Sequence, residues 1–247
     1  MSIYTLIFLD NKLNILQAFS WKNCLLCGTL SKTDLCSPCQ NKLPQLPADH
    51  CPICLLPVAT SLVCGACLGK PPAFTRTIAA LHYTFPADAL IHSLKYQSNL
   101  AIAPILANLL IEKINTIEKP DFIIPMPLHP ARLRERGFNQ ALEIGRYISK
   151  KNQITLLPNA CMRIRNTPSQ IGLPWKERQK NIRDAFSCKI DFSTKHVAIL
   201  DDVMTTGATL NELAKVLLKS GATKVSGWVV ARALPVWDKL LLIPSYE

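Results

Sequence analysis

The feature that most constrains this chain is the stretch Val197-Ala198-Ile199-Leu200-Asp201-Asp202-Val203-Met204-Thr205-Thr206-Gly207-Ala208-Thr209. Four consecutive apolar residues ended by a turn cluster read as a strand buried on both faces, the form a parallel-sheet strand takes. Helical spacing follows, with Leu210, Leu213, Val216 and Leu217 on one face and Lys215 and Lys219 on the other. Gly221 sits where a helix C-terminus favours positive φ. The segment therefore reads as strand, loop, helix. Asp201 and Asp202 lie at the carboxyl end of the strand, and hydroxyls and a glycine lie at the helix start, where backbone N–H groups and the helix dipole favour an anion. An ordinary N-capped helix after a core strand needs only one acid or one threonine. Two adjacent acids cost repulsion and leave one carboxylate to face the loop, so the stretch reads as a phosphate-ligand site.

Neither G-x-x-x-x-G-K-[ST] nor G-x-G-x-x-G occurs anywhere in the chain. What remains is four apolar residues, two acids, two more apolar residues and T-T-G-A-T. This pattern resembles the 5-phosphoribosyl 1-diphosphate (PRPP) binding motif of type I phosphoribosyltransferases. The resemblance implies that Thr205, Thr206, Gly207, Ala208 and Thr209 wrap a 5'-phosphate while Asp201 and Asp202 face the ribose hydroxyls, with Mg2+ accompanying PRPP. The chemistry agrees. Vicinal hydroxyls are donors that carboxylates accept, and a phosphomonoester takes N–H and O–H donors beside a glycine small enough for backbone to approach.

Cysteine spacing sets the second constraint. Residues 24 to 67 hold eight of the ten cysteines as four C-x-x-C pairs: Cys24/Cys27, Cys36/Cys39, Cys51/Cys54 and Cys64/Cys67. Each pair brings two sulfurs to one tetrahedral metal, and two pairs eight or nine residues apart make a zinc-ribbon knuckle pair. About two structural Zn2+ per chain are expected. Sequential and interleaved pairing both satisfy the spacing. The alternatives are a disulfide framework, which suits an oxidising compartment, and a redox C-x-x-C, which has no use for four successive pairs. With few apolar residues of its own, the ribbon should draw its folding energy from metal. Cys161 and Cys188 stand apart in sequence and read as buried spectators.

The 247 residues are 49% apolar, as a globular chain is, with a formal charge of +11. Each zinc tetrathiolate carries −2, so two such sites lower that charge only to +7, and the chain stays basic. Twelve Lys or Arg against three acids fall between Ala131 and Arg183, an excess that suits PRPP, nucleic acid or both. Residues 1–20 read as a short amphipathic segment rather than a signal peptide, since Asp10, Asn11 and Lys12 interrupt the apolar run. No run is long enough for a membrane span, and a cytoplasmic location is expected.

Gly69-Lys70-Pro71-Pro72 reads as a linker, giving expected domains of 21–70 (double zinc ribbon) and 71–247. Ile78–Phe85 and Asp121–Pro127 read as strands. Helices are expected from Pro86 to Tyr96, over residues 100 to 117, and through Ala141, Ile144 and Ile148. Between the second strand and the third helix lies a basic loop, Leu128 to Gly137, with Phe138-Asn139-Gln140 following. The carboxyl end of a strand is where open α/β sheets bind ligands.

The P-x-P-L-H and R-G-F-N-Q runs, the earlier L-K-Y, and Arg163, Thr167, Gln170, Leu173, Arg178, Asn181 and Ala185-Phe186 together resemble the ComF family of competence-associated proteins. That resemblance covers residues 24 to 235. It implies an α/β fold: a type I phosphoribosyltransferase-like parallel sheet with flanking helices, preceded by a small Cys-rich zinc-ribbon domain. Carried over by position, Leu128, His129, Arg132, Arg136 and Gly137 are pyrophosphate-loop candidates, and Arg163 to Arg183 is an arm over the site. Guanidinium forks match paired phosphate oxygens. His129 reads as a turn residue rather than a base.

Three functions follow: a PRPP-binding protein that handles single-stranded DNA during uptake, an enzyme displacing pyrophosphate from PRPP with a nitrogen nucleophile, and a PRPP sensor. The ComF resemblance favours the first, with Arg163, Arg165, Trp175, Arg178 and Arg183 as DNA-contact candidates and other DNA-uptake or recombination proteins as partners. Turnover and a catalytic residue are not assigned. Trp175, in a polar segment, is the stacking candidate, whereas core packing suits Phe138 and Phe186 better.

Overall fold

The computed structural model describes residues 21–60, 62–166 and 181–235. The expected amphipathic segment at residues 1–20 lies outside them. Two compact units divide between Leu43 and Pro44. The smaller unit has a two-residue antiparallel pair, β1 (Lys22–Asn23) with β2 (Leu30–Ser31), and the short helix α1 (Ser37–Asn41).

The larger unit opens with the second cysteine set and its helix α2 (Gly65–Gly69), then builds a five-stranded parallel sheet. In chain order come β3 (Arg76–His82), α3 (Ala87–Gln97), a 3-10 turn (Leu100–Ile102), α4 (Ala103–Ile114), β4 (Phe122–Pro125), α5 (Pro130–Arg136), α6 (Gln140–Asn152) and β5 (Thr155–Leu156). An antiparallel pair follows, β6 (Cys161–Arg163) with β7 (Phe186–Cys188), then β8 (His196–Met204), α7 (Ala208–Lys219) and β9 (Lys224–Arg232). Spatial order is β3-β9-β8-β4-β5, with β8 central and paired to β4 and β9. Helices cover both faces, which is the architecture the phosphoribosyltransferase resemblance implied.

The sequence explains the layering. β8 and β9 are almost wholly buried, as continuous apolar runs require. α4 and α6 pack on one face, and α7 and the β6–β7 pair on the other. On α7, Leu210, Leu213 and Leu217 face the sheet, and fully burying each contributes about 2 kcal/mol. Gly227 of β9 makes room for this, since a Cβ there would lie 2.8 Å from Leu210 Cδ2.

Two expectations change. β8 is nine residues long rather than four, so Asp201 and Asp202 stand within the strand. Main-chain pairing to β9 carries it on to Met204, opposite Arg232. Residues 130–136 form a helix where a loop was expected, because Pro130 starts it and His129 caps it.

Candidate functional site: an anion cleft and two four-cysteine sets

Parallel strands end at one edge of the sheet, and there the larger unit has a cleft of about 660 Å³. Its lining joins the ends of β4 and β8 to α3, α5 and the start of α7. It brings together Asp201, Asp202, Thr205, Thr206, Gly207, Ala208 and Thr209 with Leu128, His129, Arg132, Arg136 and Arg163. Gly137, Arg165 and Arg183 are not among the lining residues.

The turn at the head of the cleft is built by Gly207, which precedes α7 at φ 75°. That is left-handed backbone, which strains a residue with a side chain and favours glycine, and a Cβ there would also lie 2.8 Å from Met204 Cε. Thr206 Oγ1 accepts a hydrogen bond from Ala208 N at 3.2 Å, fixing the loop against the helix start. The first-turn N–H groups of a helix have no intrahelical acceptor, and the dipole adds positive potential there.

The acid pair is asymmetric. Asp202 is buried, and its carboxylate meets Lys95 Nζ at 2.6 Å. Asp201 lines the cleft, and burial, reinforced by the neighbouring Asp202 charge against the pull of Lys95, pushes its carboxyl up to about 8. Burial draws the Lys95 ammonium downward, but Asp202 more than offsets this and leaves it above its ordinary value. Asp202 is thus paired with an internal lysine, and Asp201 lines the cleft beside it.

Across the cleft, α5 presents its cations. His129 accepts from Ala131 N through Nδ1 at 3.2 Å, so it serves as a helix cap, in keeping with a turn role. Arg136 donates to Gln140 Oε1 at 2.8 Å and lies 5.6 Å from the Tyr96 ring centroid. Gly137 ends α5 in the left-handed region. Asn139 caps α6 by accepting from Leu142 N and donates to Met126 O at 3.0 Å, so the R-G-F-N-Q run is tied to the end of β4. Burial lowers the Arg163 guanidinium while the Asp201 charge opposes the shift, which puts Arg163 within electrostatic reach of the acid pair. Its guanidinium also lies 5.8 Å from the Phe186 ring centroid. Arg165 and Arg183 are exposed, with Arg165 Nη1 donating to the Arg183 carbonyl. Phe186 is buried and structural, whereas Trp175 and Arg178 lie outside the described residues.

Tyr83, His92, Lys95 and Tyr96 complete the cleft wall and were not expected as site residues. The available sign was Lys95, one turn beyond Ile91 and beside Leu94 on the buried face of α3. Cys161 is buried as expected, whereas Cys188 is only partly buried. The two are directly opposite across β6 and β7.

The remaining cysteines form two clusters with sequential pairing, Cys24/Cys27/Cys36/Cys39 and Cys51/Cys54/Cys64/Cys67, each with its Sγ atoms within 4.8 Å of one another. Tetrahedral zinc with bonds of about 2.3 Å places its sulfurs about 3.8 Å apart. Cys27 Sγ–Cys36 Sγ and Cys54 Sγ–Cys64 Sγ are both 3.6 Å. Burial raises the Cys24 thiol, but amides of Cys36, Cys27 and Leu26 bring it to about 6. The amides of Cys64, Cys54 and Ile53 likewise bring Cys51 to about 7 against its burial. Both donor sets fit structural zinc.

Residues 15–68 match the family model described as a double zinc ribbon domain. Competence protein F of Haemophilus influenzae is 36% identical over 214 residues, covering 83% of this chain and 93% of that protein. DNA utilization protein YhgH of Escherichia coli K12 is 34% identical over 222 residues, covering 87% and 92%. Among solved structures, a purine phosphoribosyltransferase from Pyrococcus horikoshii shares 20% identity over 62% of this chain and 96% of that chain, with a TM-score of 0.31. No helix among the described residues is long and apolar enough to cross a membrane. With more than a third of the aligned residues identical to competence protein F across nearly that protein's full length, the chain belongs to the competence protein F/YhgH family.

Proposed function

We propose that this protein binds PRPP with Mg2+ in the cleft and handles single-stranded DNA in the cytoplasm during DNA uptake. The observation that carries the reading is the convergence of three chemistries in one cleft: the half-buried Asp201, the Thr205–Thr209 turn at the start of α7, and the guanidinium groups of Arg132, Arg136 and Arg163. The turn offers N–H and O–H donors to a phosphomonoester, Asp201 accepts from ribose hydroxyls, and the arginines face a pyrophosphate. Mg2+, when bound, neutralises pyrophosphate charge, and the chain's own part is to orient the sugar between the acid and the turn.

Support for the DNA function comes from the names of the relatives, one a competence protein and the other a DNA utilization protein. The exposed Arg165 and Arg183 at the base of the basic segment suit a cationic track for single strands. Proteins of uptake and recombination are the partners such a role implies. The test is a titration of one sample with PRPP plus Mg2+ and with single-stranded DNA, each in the presence of the other. Saturable binding of both supports the reading, and pyrophosphate release on adding a nitrogen nucleophile would move it to a transferase. Absence of PRPP binding in calorimetry would overturn the site assignment.

A further inference from the structure

Arg232 ends β9 with 3% of its surface exposed, and its guanidinium has acceptors in three separate segments. Nε donates to the Cys54 carbonyl at 2.8 Å. Nη1 donates to the Met204 carbonyl at 3.2 Å and to the carbonyls of Thr205 and Ala233. Cys54 belongs to the second four-cysteine set, while Met204 and Thr205 lead into the anion turn. Burying a guanidinium is costly unless its donors are satisfied, so these carbonyls hold the side chain and it holds them.

Packing runs along the same line. Leu55, next to Cys54, has φ 62° and is buried in a cluster with Phe74, Met204, Ala208 and Leu210. That backbone shape follows the 51–55 knuckle, in which Leu55 N donates to Cys51 O at 2.9 Å. Met204 Cε lies where any side chain at Gly207 would fall, so the methionine whose carbonyl Arg232 binds also supports the turn from below. From knuckle to anion turn, every link is a hydrogen bond or a buried contact within one compact unit.

We propose that Arg232 is a positioning residue that makes the second four-cysteine site a structural part of the anion site, so that metal in that site sets the shape of the 204–209 turn. Loss of the metal releases the 51–55 knuckle, the Cys54 carbonyl leaves Nε, and the guanidinium no longer fixes Met204 and Thr205. The first four-cysteine site belongs to the other compact unit. The proposal rests on reading residues 204–209 as the phosphate turn.

Amide hydrogen exchange of the full-length protein tests it without PRPP. Cys64→Ser, which removes the second ion, should speed exchange across residues 203–208 at least tenfold while β4 stays protected. Cys27→Ser, which removes the first, should leave those amides unchanged. Arg232→Met should give the same increase, Arg232→Lys a partial recovery, and Cys64→Ser added to Arg232→Met no further effect. PRPP affinity should fall at least tenfold in Cys64→Ser and Arg232→Met. Should β4 also lose protection in Cys64→Ser, chelator is titrated into Cys27→Ser, and release of its one remaining zinc must deprotect the turn before β4. Unchanged turn exchange with one zinc lost, or additive effects in the double variant, overturns the coupling. PRPP failing to bind unmutated protein whose turn obeys this pattern overturns the site reading alone.

Discussion

The two four-cysteine sets share a pattern, C-x-x-C twice with eight or nine residues between, yet the fold uses them differently. The first lies in the smaller unit, beside two-residue strands and a helix that buries no residue. The second lies in the larger unit, where Leu55 enters the core, Pro52 O accepts from Thr77 N of the edge strand β3 at 3.3 Å, and Cys54 O accepts a hydrogen bond from Arg232 Nε. Ligand spacing states which metal geometry is met. What the metal supports is decided by the residues around the ligands.

That contrast can be broken most directly by metal loss. Cys24→Ser should lower zinc from about two to about one per chain and unfold the smaller unit while the main thermal transition stays in place. Cys64→Ser should lower zinc equally and lower the midpoint of the larger unit's transition, read by denaturant unfolding. Equal effects on the main transition would erase the distinction.

A smaller effect separates metal from ligand chemistry. Thr206→Val should weaken PRPP by about 2 kcal/mol, the scale of one charge-assisted hydrogen bond, and keep both zinc ions. Asp201→Asn with Asp202→Asn should abolish measurable binding with zinc content again unchanged, because it also strands Lys95. Metal loss in either variant would mean that the cleft residues support the ribbon.

Next in size is a pH effect confined to the larger unit. Asp201 has a carboxyl raised to about 8, so at pH 7 most of it is protonated and is a weaker acceptor for ribose hydroxyls than the carboxylate. Affinity for PRPP should rise about tenfold from pH 7 to 9, levelling off above 8, and Asp201→Asn should remove the slope. The same shift works against stability. An unfolded chain releases this proton near the ordinary carboxylate value, so the Asp201 contribution declines as pH rises from about 4 to about 8. The smallest effect is on DNA. Replacing Arg165 and Arg183 with Ala should reduce the salt slope of single-strand binding by about 1.4, with little change in stability, measured by fluorescence anisotropy over a salt series.

Much of this was legible in sequence because it is local. Val197–Leu200, the acid pair and Thr205–Thr209 are contiguous, and the C-x-x-C spacing encodes tetrahedral reach. What stayed hidden is long-range. Lys95 and Asp202 are over a hundred residues apart and meet only because β3 and β8 both flank β9 in the sheet. Arg232 gives no periodic sign, since a charge ending an apolar strand ordinarily marks the exit to solvent. The length of β8 was missed for a related reason. Acids argue against strand, but pairing of Asp201 with Val229 and of Val203 with Ala231 outweighs that preference.

The β6–β7 pair has a consequence for chain length. Cys161 faces Cys188, Ile164 N donates to Ala185 O at 2.8 Å, and Asp184 N donates to Glu212 Oε1 at 3.0 Å. Both ends of the arginine-rich segment are therefore clamped to one another and to α7 before the segment begins. These bonds join the two ends whatever number of residues lies between them. Insertions or deletions there leave the sheet and the position of Arg163 nearly untouched, which makes arm length a dimension along which relatives can diverge while keeping one cleft.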